Sequence, residues 1–328
     1  VAQRGQATVG DSRSPRARDA QRAAQLYYIQ DLTMEAIARE LRTSRSSVSR
    51  LLSHARESGL VQITVRTPES EAAALTHEVS RRFALTPHIV PVPAAVGDVE
   101  RLERVALTAA RLLSTYITSN QKVGLAWGST MTAVARHLVP HPTHDTEFVQ
   151  LNGTGNMSSS GIGYASDLLR RFGDAYDAAV HQFPVPAFFD DPDTRTAFWR
   201  ERGIARLLDL QGRLDVALFS IGSPFAEVPS HVHHGGFLDA DDYAQLTADG
   251  VVGDVATVFF RADGSSDGIA LNRRATGPDH AVLRRVPRRV CIVAGPAKLP
   301  ALRGAIRARL VTDLVVDEAT ARALVETV

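Results

Sequence analysis

The run TMEAIARELRTSRSSVSRLL, residues 33–52, constrains the fold of this chain more than any other stretch. Thr33 stands just before an apolar period, as a helix N-cap does, and predicts a short helix with Ile37, Ala38 and Leu41 on one face. Arg42-Thr43 leaves room only for a tight turn, and Ser44 caps another helix running to about Ser58. There Val48, Leu51, Leu52 and Ala55 recur at i, i+3, i+4 and i+7, while Ser46, Arg50 and Ser53 lie roughly opposite. Small Ala38 falls where two such helices cross closely. The pattern is a helix-turn-helix whose second helix carries a Ser/Arg face. Such a face suits either DNA or, in a plain three-helix bundle, water; the spacing favours DNA. The turn position usually held by Gly carries Arg42, and a positive φ there costs roughly 1 kcal/mol.

Upstream, Asp19 is a plausible N-cap for a helix bearing Ala23, Ala24, Leu26, Tyr27 and Ile29. Residues 1–18, rich in Arg, Gln, Gly and Ser, are expected to form a disordered arm. Downstream, Leu60 to Arg66 alternates like a strand and could form a wing or simply end the domain. These bounds give a helix-turn-helix domain over 19–66, a linker or helix start over 67–75, and a larger domain over 76–328. Residues 1–66 hold eleven Arg against six Asp or Glu, a balance of about +5 within a chain of net charge +1. A basic head on a mildly acidic body fits a nucleic-acid partner.

The body alternates helices and strands, which predicts a parallel sheet covered on both faces. Expected helices span 72–84 and 98–118. Expected strands are Lys122 to Trp127, Glu147 to Leu151, Leu214 to Ile221, Val255 to Phe260 and Arg289 to Ala294. Ligands of such folds sit beyond the carboxyl ends of the strands. Three of those ends carry Gly with small polar residues: Gly128-Ser129-Thr130, Asn152-Gly153-Thr154-Gly155 and Gly222-Ser223. The first leads into a helix whose free N–H groups and dipole favour an anion, so a phosphate site is expected. Lys298, one of only two lysines with Lys122, follows a strand and Gly295 near the same edge. It could contact a phosphate or simply start a helix, and Arg273 and Arg274 are alternative anion partners.

These segments carry a resemblance. The head YYIQDLTMEAIARELRTSRSSVSRLL, with VGLAWGST, QLNGTGN, LDVALFSIGSP, GVVGDVATVFFRADG and VCIVAGPAKLPALRGAIRARLVTDLVVDEATA, resembles the SorC group of sugar-binding regulators, sometimes placed with the DeoR type. The match covers about 19–322. It implies an α/β chain: a helix-turn-helix head and a larger Rossmann-like, sugar-isomerase-like effector domain with a mainly parallel sheet. It also implies operator DNA and a phosphorylated sugar as partners, a homodimer or homotetramer, and no cofactor. Thr33, Ser44, Arg45, Ser46, Ser47, Ser49 and Arg50 are then the candidate DNA contacts. Gly128, Ser129 and Thr130 would hold the phosphate, with Asn152, Gly153, Thr154, Gly155, Gly222 and Ser223 lining the sugar. Asp254, Lys298 and Asp317 occupy family-like positions near that edge. Two positions depart from the family pattern: Gly295-Pro296-Ala297-Lys298 replaces a Gly-Gly start, and Asn152, not being lysine, excludes a sugar imine from its loop.

A sugar-phosphate isomerase is the main alternative. Asp254, Asp263, Asp267 and Asp317 could supply a general base, yet no spacing isolates a catalytic pair, and an isomerase has no use for the head. His231, His233 and His234 invite a metal, but no cysteine is near, and a polar loop is the preferred reading. Trp127 is expected in the core. With a single cysteine, Cys291, no intramolecular disulfide can form. The absence of a long apolar run or a signal-peptide core predicts a soluble cytoplasmic protein without a membrane partner.

Overall fold

A computed structural model describes residues 15–61, 71–156, 160–224, 232 and 236–326. The chain divides into two units, at residues 1–67 and 68–328.

In the first unit α1 (Pro15–Ala24) continues through one wider π turn (Gln25–Ile29) and is followed by α2 (Met34–Glu40) and α3 (Arg45–Glu57). Ala20, Ala23, Ala24 and Leu26 pack against Ile37, Ala38, Val48, Leu52 and Ala55 to make a small core of its own. Small side chains let the helices approach closely, and the predicted stripe of α3 is the face that packs. Both predicted caps form: Thr33 Oγ1 accepts from Ala36 N–H and Ser44 Oγ from Ser47 N–H. Arg42 takes φ 51°. Thr43 N–H reaches back to the Ala38 carbonyl at 2.9 Å and Arg42 N–H to that of Arg39 at 3.3 Å. This pair of bonds closes a Schellman C-cap and offsets the strain of a non-glycine residue. One boundary differs from expectation. The helix starts at Pro15 rather than after Asp19, so part of the expected arm is ordered; Pro at a first helical position loses no hydrogen bond. Gln62 to Arg66 of the expected strand lie outside the described residues.

The second unit opens with α4 (Glu71–Phe83), which occupies part of the expected linker, and β1 (Thr86–Val90). Then follow α5 (Asp98–Tyr116), β2 (Lys122–Leu125), α6 (Ser129–Arg136), β3 (Glu147–Gln150), α7 (Ile162–Tyr176) and β4 (Ala179–His181). Beyond them come α8 (Pro192–Phe198), α9 (Arg202–Gln211), β5 (Val216–Phe219), β6 (Ile221–Gly222), α10 (Ala240–Ala248), β7 (Val251–Val255) and β8 (Val258–Arg261). The chain closes with α11 (His280–Leu283), β9 (Arg288–Val293), α12 (Leu299–Arg307), β10 (Asp313–Asp317) and α13 (Glu318–Glu326).

Seven strands form one sheet in the order β1-β10-β9-β5-β2-β3-β4, every pair parallel. Alternation along the inner strands splits the core in two. Cys291, Val293, Leu314 and Val316 face one layer with α12 and α13, while Val290, Ile292 and Val315 face the other with α5 and α7. Burial on both faces is what continuous apolar strands require. A small antiparallel sheet, β6-β7-β8, accompanies it. Here the expected single strand Val255 to Phe260 proves to be the tip of a hairpin. Ala256 and Thr257 take φ 49° and 70°, the two positive values of a type I′ turn, so the chain reverses between Val255 and Val258. Asp254 Oδ2 braces that turn by accepting from Thr257 N–H at 3.1 Å.

Candidate functional site

In the helical unit the candidate contacts cluster at the start of α3. Ser46, Ser49 and Arg50 are exposed, whereas Ser47 is half-buried. Ser44 Oγ lies 2.8 Å from Ser46 Oγ and 2.9 Å from Ser47 Oγ, and Arg50 donates to Ser47 Oγ at 3.2 Å. Arg45 is exposed, and its Nε pairs with Glu35 of α2 at 3.0 Å. Thr33 serves as the α2 cap.

In the larger unit the carboxyl ends of β2, β3 and β5 meet the β6-β7-β8 hairpin around a narrow cleft of about 40 Å³. Gly128, Ser129, Thr130, Asn152, Gly222, Asp254 and Lys298, scattered through the sequence, all line it. The topology brings them there. Gly222 of β6 lies directly opposite Asp254 of β7. Gly128 ends the β2 turn at φ 148°, a backbone that favours glycine, and directs the first turn of α6 outward. No side chain among the described residues caps that turn, the arrangement that favours an anion at a helix start.

Two polar groups facing the cleft are unsatisfied among the described residues, which suits a ligand. Asn152 Oδ1 and Ser220 Oγ are buried without a hydrogen-bond partner among the described residues. Lys298 is 7% exposed and makes no ion pair among the described residues. Burial pulls its ammonium pKa below the ordinary lysine value, against the opposing pull of Cys291, Asp254 and Asp98. A buried cation, uncapped helix N–H groups and orphaned polar atoms together are complementary to a small anion with hydroxyl neighbours.

Other candidates lie elsewhere. Asp317 does not line the cleft. It is fully buried, and its carboxylate accepts from Arg101 Nη1 at 2.9 Å, Gly295 N–H at 2.9 Å, Thr320 N–H at 3.1 Å and Thr320 Oγ1 at 2.7 Å. It therefore fixes Gly295, at φ 96°, and the loop that carries Lys298. Ser223 is fully buried behind the lining. Only Asn152 of its loop enters the cleft; Thr154 and Gly155 line a separate, larger cavity, and Gly153 is held by Thr276 Oγ1 at 3.1 Å. Arg274 is held by Asp242 at 2.6 Å, away from the cleft. Asp263 caps its own turn through Ser265 N–H. His231, His233 and His234 fall outside the described residues.

Sequence reasoning missed Arg101, Ser220 and Thr257, whose roles depend on contacts across the fold. It set Trp127 in the core, whereas the ring is half-buried on the cleft, donating to the Asn152 and Gly153 carbonyls at 3.2 and 2.8 Å.

Residues 67–326 match the Sugar-bind family model, described as "Putative sugar-binding domain". The chain belongs to this SorC/DeoR-type family of regulators. The deoxyribonucleoside regulator of Bacillus subtilis (strain 168) is 31% identical over 307 residues, covering 92% of this chain and 96% of the relative. The sorbitol operon regulator of Klebsiella pneumoniae is 26% identical over 305 residues, with coverage of 92% and 96%. Among solved structures, a domain of a possible sugar-binding transcriptional regulator from Arthrobacter aurescens TC1 is 51% identical, with a TM-score of 0.74. It covers 79% of this chain and 100% of that one. The full-length SorC regulator from Klebsiella pneumoniae matches with a TM-score of 0.70 at 25% identity, over 95% and 99% of the two chains. These proteins are named transcriptional regulators, not enzymes, and family membership makes this chain a regulator rather than an isomerase. Among the described residues no helix is long and apolar enough to cross a membrane.

Proposed function

We propose that the chain is a transcriptional repressor that binds operator DNA through α3 and releases it in response to a phosphorylated sugar. Thr130, Ser129 and the first-turn N–H groups of α6 hold the phosphate, with Lys298 as its counter-charge. Asn152, Gly222 and Asp254 face the adjoining sugar. The observation that carries this reading is the buried Lys298 ammonium beside an uncapped helix start, a cation that makes no close ion pair among the described residues where an anion is electrostatically favoured. In the head, Arg45, Ser46, Ser49 and Arg50 face the major groove. The protein acts as a homodimer or homotetramer, its two-fold symmetry matched by operator half-sites about one helical turn or a multiple apart. The two functions couple through a free energy of about 1–3 kcal/mol, typical of ligand-controlled regulators.

The test is a melting-temperature screen of sugar phosphates against their parent sugars, followed by operator mobility shifts with the hit. A phosphate-selective rise with loss of the DNA complex supports the reading. Stabilisation by free sugars alone would remove the phosphate role, and tighter DNA binding with the hit would make the protein effector-activated instead.

A further inference from the structure

The cleft at Lys298 holds about 40 Å³, room for a small anionic group but not for a whole sugar phosphate. A cavity of about 650 Å³ adjoins it, built from the stretch after β4 and the segment leading into α10. The two have no lining residue in common but are built from neighbouring ones. Asn152 faces the cleft while Thr154 and Gly155 of the same loop face the cavity, and Trp127 on the cleft stacks on Phe237 of the cavity at 5.2 Å.

The cavity's chemistry is unlike that of the cleft. Phe188 and Phe237 are half-buried rings, each backed by a second aromatic: Phe188 stacks on Phe259 at 5.9 Å and Phe237 on Trp127. A ring supported on one face and open on the other is a platform for a flat apolar group. The charged lining is acidic: Asp190, Asp191, Asp239 and Asp242. Arg274 is the only cation among the described lining residues, and Asp242 and the Phe189 carbonyl hold its guanidinium at 2.6 and 2.8 Å. A second phosphate would meet four carboxylates and, among the described residues, no available positive charge.

We infer that this cavity takes the far end of the effector, a flat uncharged group such as an aryl or nucleobase ring attached to the sugar phosphate, and excludes bisphosphorylated sugars. This rests on the phosphate role proposed for the cleft. The effector class is then a phosphorylated glycoside or a nucleoside monophosphate.

Binding to the full chain is measured by titration calorimetry for two pairs: phenyl glucoside phosphate against glucose phosphate, and thymidine monophosphate against deoxyribose phosphate. The ring-bearing member of one pair is expected to bind at least about tenfold tighter than its parent, as one well-stacked ring in a desolvated site provides. Which pair shows the gain identifies the source. Phe188→Leu should erase the gain while leaving the parent's affinity unchanged. A hexose bisphosphate should bind no better than the monophosphate, and Asp190→Lys, at an exposed carboxylate, should raise its affinity. Equal affinity within both pairs, with the parents still binding, would overturn the inference and leave the phosphate cleft intact. Equal binding of phenyl glucoside with and without its phosphate would support the ring cavity and count against the cleft. No binding by any compound would remove both.

Discussion

Replacing Lys298 with Met separates stability from ligand binding, because the same buried charge acts on them with opposite sign. The side chain is 7% exposed and has no ion-pair partner among the described residues, so the ligand-free fold bears the cost of desolvating an ammonium. Methionine keeps the length and packing while removing that cost. Lys298→Met should therefore leave the unliganded protein as stable as the original, or more stable, by urea unfolding. A charge-assisted hydrogen bond to a phosphate contributes about 1.5–3 kcal/mol, so the effector should bind the variant roughly tenfold to a hundredfold more weakly. The pH dependence follows from the lowered pKa. Between the folded value and the ordinary lysine value near 10.4 the unfolded chain binds more protons than the native one, so native stability gains as pH rises through that window. The unfolding free energy of the original protein should thus rise toward that of Lys298→Met as pH is raised from neutrality to about 10. A variant that is less stable at pH 7 and binds the effector unchanged would refute the reasoning on both counts.

Further outcomes follow from other residues. Arg50→Ala should weaken operator binding by about 1–3 kcal/mol at fixed salt without altering the melting of the effector unit; unchanged affinity would remove α3 from the groove. Asp317→Ala leaves the buried Arg101 guanidinium with Asp98, at 3.5 Å, as its remaining charge partner among the described residues and frees Gly295, and should cost about 3 kcal/mol in urea unfolding, where a loss below about 1 would show that the network is dispensable. Thr130→Glu sets a like charge in the phosphate turn and should abolish the effector response in mobility shifts while basal DNA binding persists. His280 is buried, and desolvation lowers its pKa to about 4. The unfolded chain takes up that proton first, so stability is lost as pH falls from about 6.5 toward 4, by roughly 2–4 kcal/mol relative to His280→Phe in acid unfolding curves.

What could be read from sequence was local. Thr33 and Ser44 announce helix starts because a cap needs one hydroxyl and its next few neighbours. The stripe Val48, Leu52 and Ala55 is periodic for the same short-range reason. The turn at Gly128 was also legible, since a strand, a glycine and small hydroxyls follow one another directly. The hairpin at Ala256-Thr257 was not, because neither residue is the Asn or Gly that normally marks a type I′ turn. Asp254 braces it from beneath, and Gly277 leaves room for it, since an added Cβ there would sit 1.8 Å from the Ala256 carbonyl oxygen. Asp317 was singled out, yet its role was invisible: a carboxylate beside a pocket and one locked behind it look the same until Arg101, 216 residues away in sequence, is seen on its oxygen. The loop at Asn152 divides for a similar reason. Gly153 has no room for a side chain against the Val185 and Pro186 carbonyls, and this packing turns Thr154 and Gly155 toward the larger cavity.

On the proposed function, an anion fills the cleft at Lys298 and thereby controls DNA binding. The most direct measurement is operator affinity, at one stated salt concentration, against rising concentrations of the sugar phosphate that most raises the melting temperature, in the original protein and in Lys298→Met. Loss of the DNA complex is expected in the original, and the same loss in the variant only at roughly tenfold or greater concentration. Identical titration curves for the two proteins would contradict it.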